Sequence, residues 1–209
     1  MRINWYGILL LTGIASGFVS ATLLGASCKI KRQTLAYTAF LNLLCVLVFS
    51  FMEVFYLSAG KLYGMSGLGG ALGLMIGTIV SVYIHNDHHK ELFSSWVVSA
   101  PLMYAVAKTA CLYAGCCSGS FFGLPIQPVV SLAFLLIYII SLIVFIRSQE
   151  KSKAAYMAML LAFVMRIVLD FFHDSHHGHL VSREQIMVLV AGSIAFILFL
   201  LRKKLPKPR

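Results

Sequence analysis

Apolar runs of about 18 or more residues recur along this chain, and each is long enough to cross the hydrocarbon of a bilayer as a helix. A chain built this way becomes a bundle of membrane helices. Composition agrees: 60% of the residues are hydrophobic and only 11% are charged, where a soluble domain carries roughly 25%. Mean hydropathy is +0.89. The expected fold class is an all-α membrane protein forming one polytopic domain over residues 1–209. The first run lacks a signal-peptidase site and is followed by further spans, so it reads as a retained helix.

Seven spans fit the pattern, over residues 5–24, 35–57, 67–84, 93–113, 128–146, 154–172 and 186–201. The net charge of +10 does not point to nucleic acid, because membrane proteins gather Lys and Arg in cytoplasmic loops. With the N-terminus outside, twelve basic residues fall on the cytoplasmic side: Lys29, Lys31, Arg32, Lys90, Arg147, Lys151, Lys153, Arg202, Lys203, Lys204, Lys207 and Arg209. Three (Arg2, Lys61 and Arg183) fall outside. The expected topology is therefore N-terminus out, C-terminus cytoplasmic. The third span holds Gly67, Gly69, Gly70, Gly73 and Gly77, which let a neighbouring helix approach closely.

The remaining two cations, Lys108 and Arg166, lie inside apolar spans. A charge at membrane depth is costly and marks a functional site by default. Glu53 and Asp170 join them, so four ionisable groups on three outward-running helices sit at similar depth, toward the outer leaflet. Independent snorkelling or a local i, i+4 pair between Arg166 and Asp170 would also account for such charges. Their common depth favours a shared polar cavity that binds an anion.

Several short motifs follow in order. Asn4-Trp5-Tyr6-Gly7 opens the first span. Ser66 precedes Gly69-Gly70-Ala71-Leu72-Gly73. Lys108 to Gly119 leaves the fourth span, with Gly115 and Gly119 permitting tight turns and close backbone approach. Pro128 opens the fifth. Arg166-Ile-Val-Leu-Asp170-Phe-Phe-His173 places three polar side chains on one helical face. Ser182, a candidate cap, and Gln185 precede the last span. In this order and spacing the chain resembles the prolipoprotein diacylglyceryl transferases over nearly its whole length, with a Gly-Cys-Cys signature like that of a divergent branch. Some positions differ from the family pattern. The catalytic-loop histidine before the glycine pair is absent, with Leu68 near its place, and the signature arginine is Lys108. The signature asparagines are Cys111 and Ala114, and the signature glutamate is Cys116. The second-helix arginine appears as Glu53, and the end of the sixth-helix element reads Asp170 and His173.

The resemblance implies transfer of a diacylglyceryl group from phosphatidylglycerol to the cysteine thiol of a prolipoprotein, at the bacterial cytoplasmic membrane. The partners it implies are an anionic phospholipid and a prolipoprotein signal peptide. No cofactor, metal or nucleic acid is implied. Such a reaction needs a cation to hold the phosphate and stabilise the leaving group, and a base to help ionise the thiol. Arg166 suits phosphate oxygens by its planar fork, Lys108 supplies a second contact, and Asp170 orients Arg166. His173 is the base candidate nearest in sequence. Tyr6, Gly69, Gly70, Gly115, Cys116 and Gln185 are the expected substrate-binding positions.

The same residues are compatible with other functions. A phospholipid-binding or transport protein without turnover would keep the scaffold and the anion cavity. Cys116 and Cys117 are either thiols activated beside Lys108 or small packing residues; packing is preferred. His85, His88 and His89, and separately His173, His176, His177 and His179, have the look of metal-binding loops. By the topology the two groups lie on opposite faces, and solvated loops are the simpler account.

Overall fold

In the computed structural model, residues 5–57, 59–60, 65–116, 118–174, 185–186 and 190 are described. Six long helices follow one another: α1 (Trp5–Ser27), α2 (Arg32–Leu57), α3 (Gly67–Ile84), α4 (His89–Ala114), α5 (Ile126–Arg147) and α6 (Lys151–Asp170). All six are long and apolar enough to cross a membrane. The expected seventh span, residues 186–201, lies outside the described residues except for positions 186 and 190. A two-stranded hairpin, β1 (Ser120–Phe121) and β2 (Leu124–Pro125), interrupts the helices between α4 and α5.

Most helices run past their apolar stretches. α2 begins at Arg32, α4 at His89 and α6 at Lys151, because a helix continues into the zone where charged ends meet headgroups and water. Lys151 shows how such an end is secured. Its Nζ donates to the carbonyls of Phe145 (2.7 Å) and Ser148 (3.0 Å) at the end of α5, where a cation also suits the helix dipole. Pro128 sits in the first turn of α5 rather than opening it, a place where a missing N–H costs little.

α1 and α4 are antiparallel neighbours. Gly13 faces Ala107 and Gly17 faces Met103, Ser20 bonds Ser99 (2.8 Å), and Phe18 meets the buried Trp96 edge-on at 4.9 Å. Tyr138 of α5 joins them through Ser20 (3.0 Å). α5 and α6 pack through Phe145 against Ala154 and Ala158. α2 and α3 form their own antiparallel hairpin, in which Asn42 accepts from Thr78 (3.1 Å). Large apolar side chains such as Leu11, Phe40 and Leu160 face outward, as expected where the solvent is lipid rather than water.

The glycines of α3 are contact positions. A Cβ at Gly73 would overlap the Cys45 carbonyl of α2, whereas one at Gly67 would meet nothing within 4 Å. Gly73→Leu is expected to destabilise the protein by about 1–3 kcal/mol through overpacking, while Gly67→Leu is tolerated. Thermal unfolding of the two variants in detergent checks this; equal stability would remove Gly73 from the interface.

The antiparallel order sorts charge. Lys29, Lys31, Arg32, Lys90, Arg147, Lys151 and Lys153 all lie at the end of the bundle where α1 and α5 finish and α2, α4 and α6 start. Lys108 and Arg166 lie toward the other end.

Candidate functional site

At that other end, α4 stops at Gly115, whose positive φ of 66° forms a left-handed C-cap. The chain then turns back toward α5. Phe122 and Gly123 both have positive φ (48° and 83°), as a two-residue type I′ hairpin turn requires, and Phe121 pairs with Leu124. Just before the hairpin, Gly119 bridges to His173 in antiparallel fashion. A Cβ at Gly119 would overlap the Phe172 carbonyl, so only glycine lets the two segments meet. The Ser118 carbonyl accepts from the Asp174 N–H (3.0 Å), and Phe121 packs on Phe172 with ring centroids 4.7 Å apart. The α4–α5 connection is thereby stitched to the exit of α6.

Under this stitch lie the charged groups. Lys108 stands six residues before the end of α4, about 9 Å along the helix axis. It is 7% exposed. Arg166 stands one turn before the end of α6, and its Nη2 meets Asp170 Oδ1 at 3.3 Å. Asp170 is 1% exposed. Both cations flank one aromatic ring: Lys108 Nζ lies 5.7 Å and Arg166 Cζ 5.9 Å from the centroid of Tyr104, within cation–π range. Tyr104 is backed by Phe134 of α5 at 4.4 Å. Among the described residues, the cluster brings together two cations, Lys108 and Arg166, and the carboxylate of Asp170, with Lys108 and Asp170 buried. Cations gathered in a buried setting suit the oxygens of a bound anion.

His173 follows the last turn of α6, its N–H bonded to the Asp170 carbonyl (3.1 Å), and is 6% exposed. Its Nδ1 lies 3.3 Å from the Ser118 carbonyl oxygen. Burial lowers its pKa from the ordinary histidine value, and Lys108 and then Arg166 lower it further; Asp170 and the Ser118 carbonyl act in the opposite sense.

The structure thus gathers Lys108, Arg166, Asp170 and His173. Gln185 is brought against the same helix: it is 4% exposed, and its Nε2 donates to the Ile167 carbonyl at 3.5 Å. Cys116 is half-buried, its Sγ is 3.8 Å from the Cys111 carbonyl oxygen, and its own carbonyl accepts from Gln127 Nε2 at 3.0 Å. A Cβ at Gly115 would meet nothing within 4 Å. Tyr6 is half-buried in the first turn of α1. Gly69 and Gly70 sit against α2, beside the Phe49 carbonyl and Ser50 Oγ respectively.

Glu53 is engaged at α3. It accepts from Ser66 Oγ (2.5 Å), while that oxygen accepts from the N–H groups of Leu68 and Gly69 and caps the helix. Glu53 therefore adds a negative charge at a helix N-terminus, a favourable place for it. Cys117, His176, His177, His179 and Ser182 lie outside the described residues.

Three contributors escaped the reading of the sequence. Tyr104, Ser118 and Gln127 carry no charge, and two of them act through or upon backbone carbonyls. Only Tyr104 left a usable signal, as an aromatic one helical turn before an intramembrane lysine.

A family model described as prolipoprotein diacylglyceryl transferase matches residues 1–201. No curated protein matches the chain.

Proposed function

We infer the function from membership: the chain belongs to the prolipoprotein diacylglyceryl transferase family. It is a multi-pass membrane protein, and the family's chemistry is transfer of a diacylglyceryl group to a prolipoprotein. We propose that the donor is phosphatidylglycerol, that the acceptor is the cysteine thiol of a prolipoprotein signal peptide, and that transfer takes place in a cavity near the outer leaflet of a bacterial cytoplasmic membrane. All seven spans form one domain in this reading, with the N-terminus outside. The observation that carries it is the pair of cations on the Tyr104 ring, 5.7 and 5.9 Å from its centroid, with Asp170 buried beside them.

Each group has a task in this reading. Arg166 holds the lipid phosphate by its fork, and Asp170 keeps that fork oriented. Lys108 adds a point charge. As the carbon–oxygen bond to phosphate breaks, negative charge grows on the departing phosphate, and both cations stabilise it in a setting with little water. Gln185, held at the Ile167 carbonyl of α6, is assigned to the glycerol or ester oxygens, and Tyr6 of α1 to the same task. Gly115 and Cys116 are assigned to substrate binding at the turn between α4 and the hairpin, and Gly69 and Gly70 at the close α2–α3 contact.

Mass spectrometry of a reaction in detergent tests the proposal. Purified protein, phosphatidylglycerol and a lipobox peptide with a free cysteine are expected to yield peptide carrying one diacylglyceryl group and free glycerol phosphate. Intact peptide with glycerol phosphate released would replace the acceptor. Lipid binding with no turnover would replace the enzyme by a phospholipid-binding protein on the same scaffold.

A further inference from the structure

We propose that His173 Nε2 is the general base that takes the proton from the acceptor thiol. The proposal rests on the transferase reading above and adds the one group that reading leaves open.

The partner of Nδ1 is a backbone carbonyl, the oxygen of Ser118 at 3.3 Å. A carbonyl can only accept, so Nδ1 carries the hydrogen of the neutral ring, and Nε2 carries the lone pair. Nε2 is buried and has no hydrogen-bond partner among the described residues. A histidine placed only for packing normally uses both nitrogens, because a buried polar atom left unmatched costs free energy. Here one nitrogen is anchored and the other is kept available, the arrangement of a base held by an orienting group.

The anchor is itself well built. Ser118 is placed by the Gly119–His173 bridge and by the Asp174 N–H on the same carbonyl. The backbone of His173 is tied to Asp170, the partner of Arg166. The base and the phosphate cation therefore share one short stretch of α6 and its exit.

Charge favours the neutral ring. The groups acting on His173 are Lys108 from α4 and Arg166 and Asp170 from α6. The two cations and burial outweigh the carboxylate, and the ring's pKa falls. A lowered pKa keeps Nε2 unprotonated at neutral pH, and function is lost only as pH falls through that lowered value.

The step balances. The thiol proton moves to Nε2 as sulfur attacks the glycerol carbon of the lipid. A sulfur–carbon bond forms, the carbon–oxygen bond to phosphate breaks, and its electron pair leaves with glycerol phosphate. The proton on Nε2 then passes to the departing phosphate, and the ring returns to its starting state.

The test is the pH dependence of transfer from phosphatidylglycerol in detergent micelles to a lipobox peptide, for wild type and His173→Asn. Asparagine can still donate to the Ser118 carbonyl but supplies no base. The expected wild-type rate is flat through neutral pH and falls only below about 6.5, the ordinary histidine value. His173→Asn is expected to bind phosphatidylglycerol as wild type does and to lose about 10²-fold or more in rate at pH 7. Its rate should then climb about tenfold per pH unit toward the thiol's own pKa of about 8.5, where the peptide ionises unaided. A merely structural loss would not recover in this way. Superimposable profiles would overturn the proposal. If the variant does not fold, the wild-type profile decides alone: a rate that simply follows thiol ionisation near pH 8.5 means that no base operates. Wild-type protein that binds lipid but transfers at no pH would overturn the transferase reading and the base together, a result distinct from either.

Discussion

Arg166→Ala is expected to lower transfer by about 10²–10³-fold, the usual consequence of removing one donor that meets developing charge in a site with little water. The expectation follows from where the guanidinium sits. It is 15% exposed, it flanks Tyr104, and Asp170 holds it from one turn away. An arginine fixed this way keeps its fork preorganised for two phosphate oxygens, which a lysine cannot reproduce. Arg166→Lys should therefore fall between alanine and wild type, retaining lipid binding better than rate. Cys117→Ala should stay within a few-fold of wild type, because the thiol is not asked to react. The checks are glycerol phosphate release and binding of phosphatidylglycerol, measured side by side. An Arg166→Ala protein as active as wild type would remove the phosphate from this end of the bundle.

The charged half of this cluster was legible in the sequence for a simple reason. Lys108, Arg166 and Asp170 violate the apolar rule of their spans, and in lipid a violation must be compensated locally. Depth then grouped them, because α4 and α6 run in the same direction. The same reasoning grouped Glu53 with them, and the structure bonds Glu53 to Ser66 at the α3 cap. The helix ends were short by a few residues because hydropathy stops at Leu35 or Ala154, while hydrogen bonding continues to Arg32 and Lys151. The stitch between Ser118-Gly119 and Phe172–Asp174 was not legible at all. It is made of backbone groups brought together by three helices, and only Gly119 hinted at it, as a residue chosen for the lack of a side chain.

Asp170→Ala is expected to destabilise the protein by about 3 kcal/mol, since removing one partner of a buried ion pair leaves the other charge uncompensated. Asp170 is almost wholly buried and lies 3.3 Å from Arg166, so little water can replace it. The sharper expectation concerns the pair. Arg166→Met with Asp170→Leu fills similar volume with apolar groups, and replacements of that kind recover the loss or exceed it. The double variant should therefore unfold at or above the wild-type temperature in detergent while transferring no diacylglyceryl group. Stability and activity would then move in opposite directions at the same two positions. That separation is the signature of a pair kept for chemistry: a bundle that needed only to be stable would place apolar residues at 166 and 170. A double variant that remained as unstable as Asp170→Ala would instead mean that the two charges brace the exit of α6, with His173 and the Ser118 contact depending on them for position.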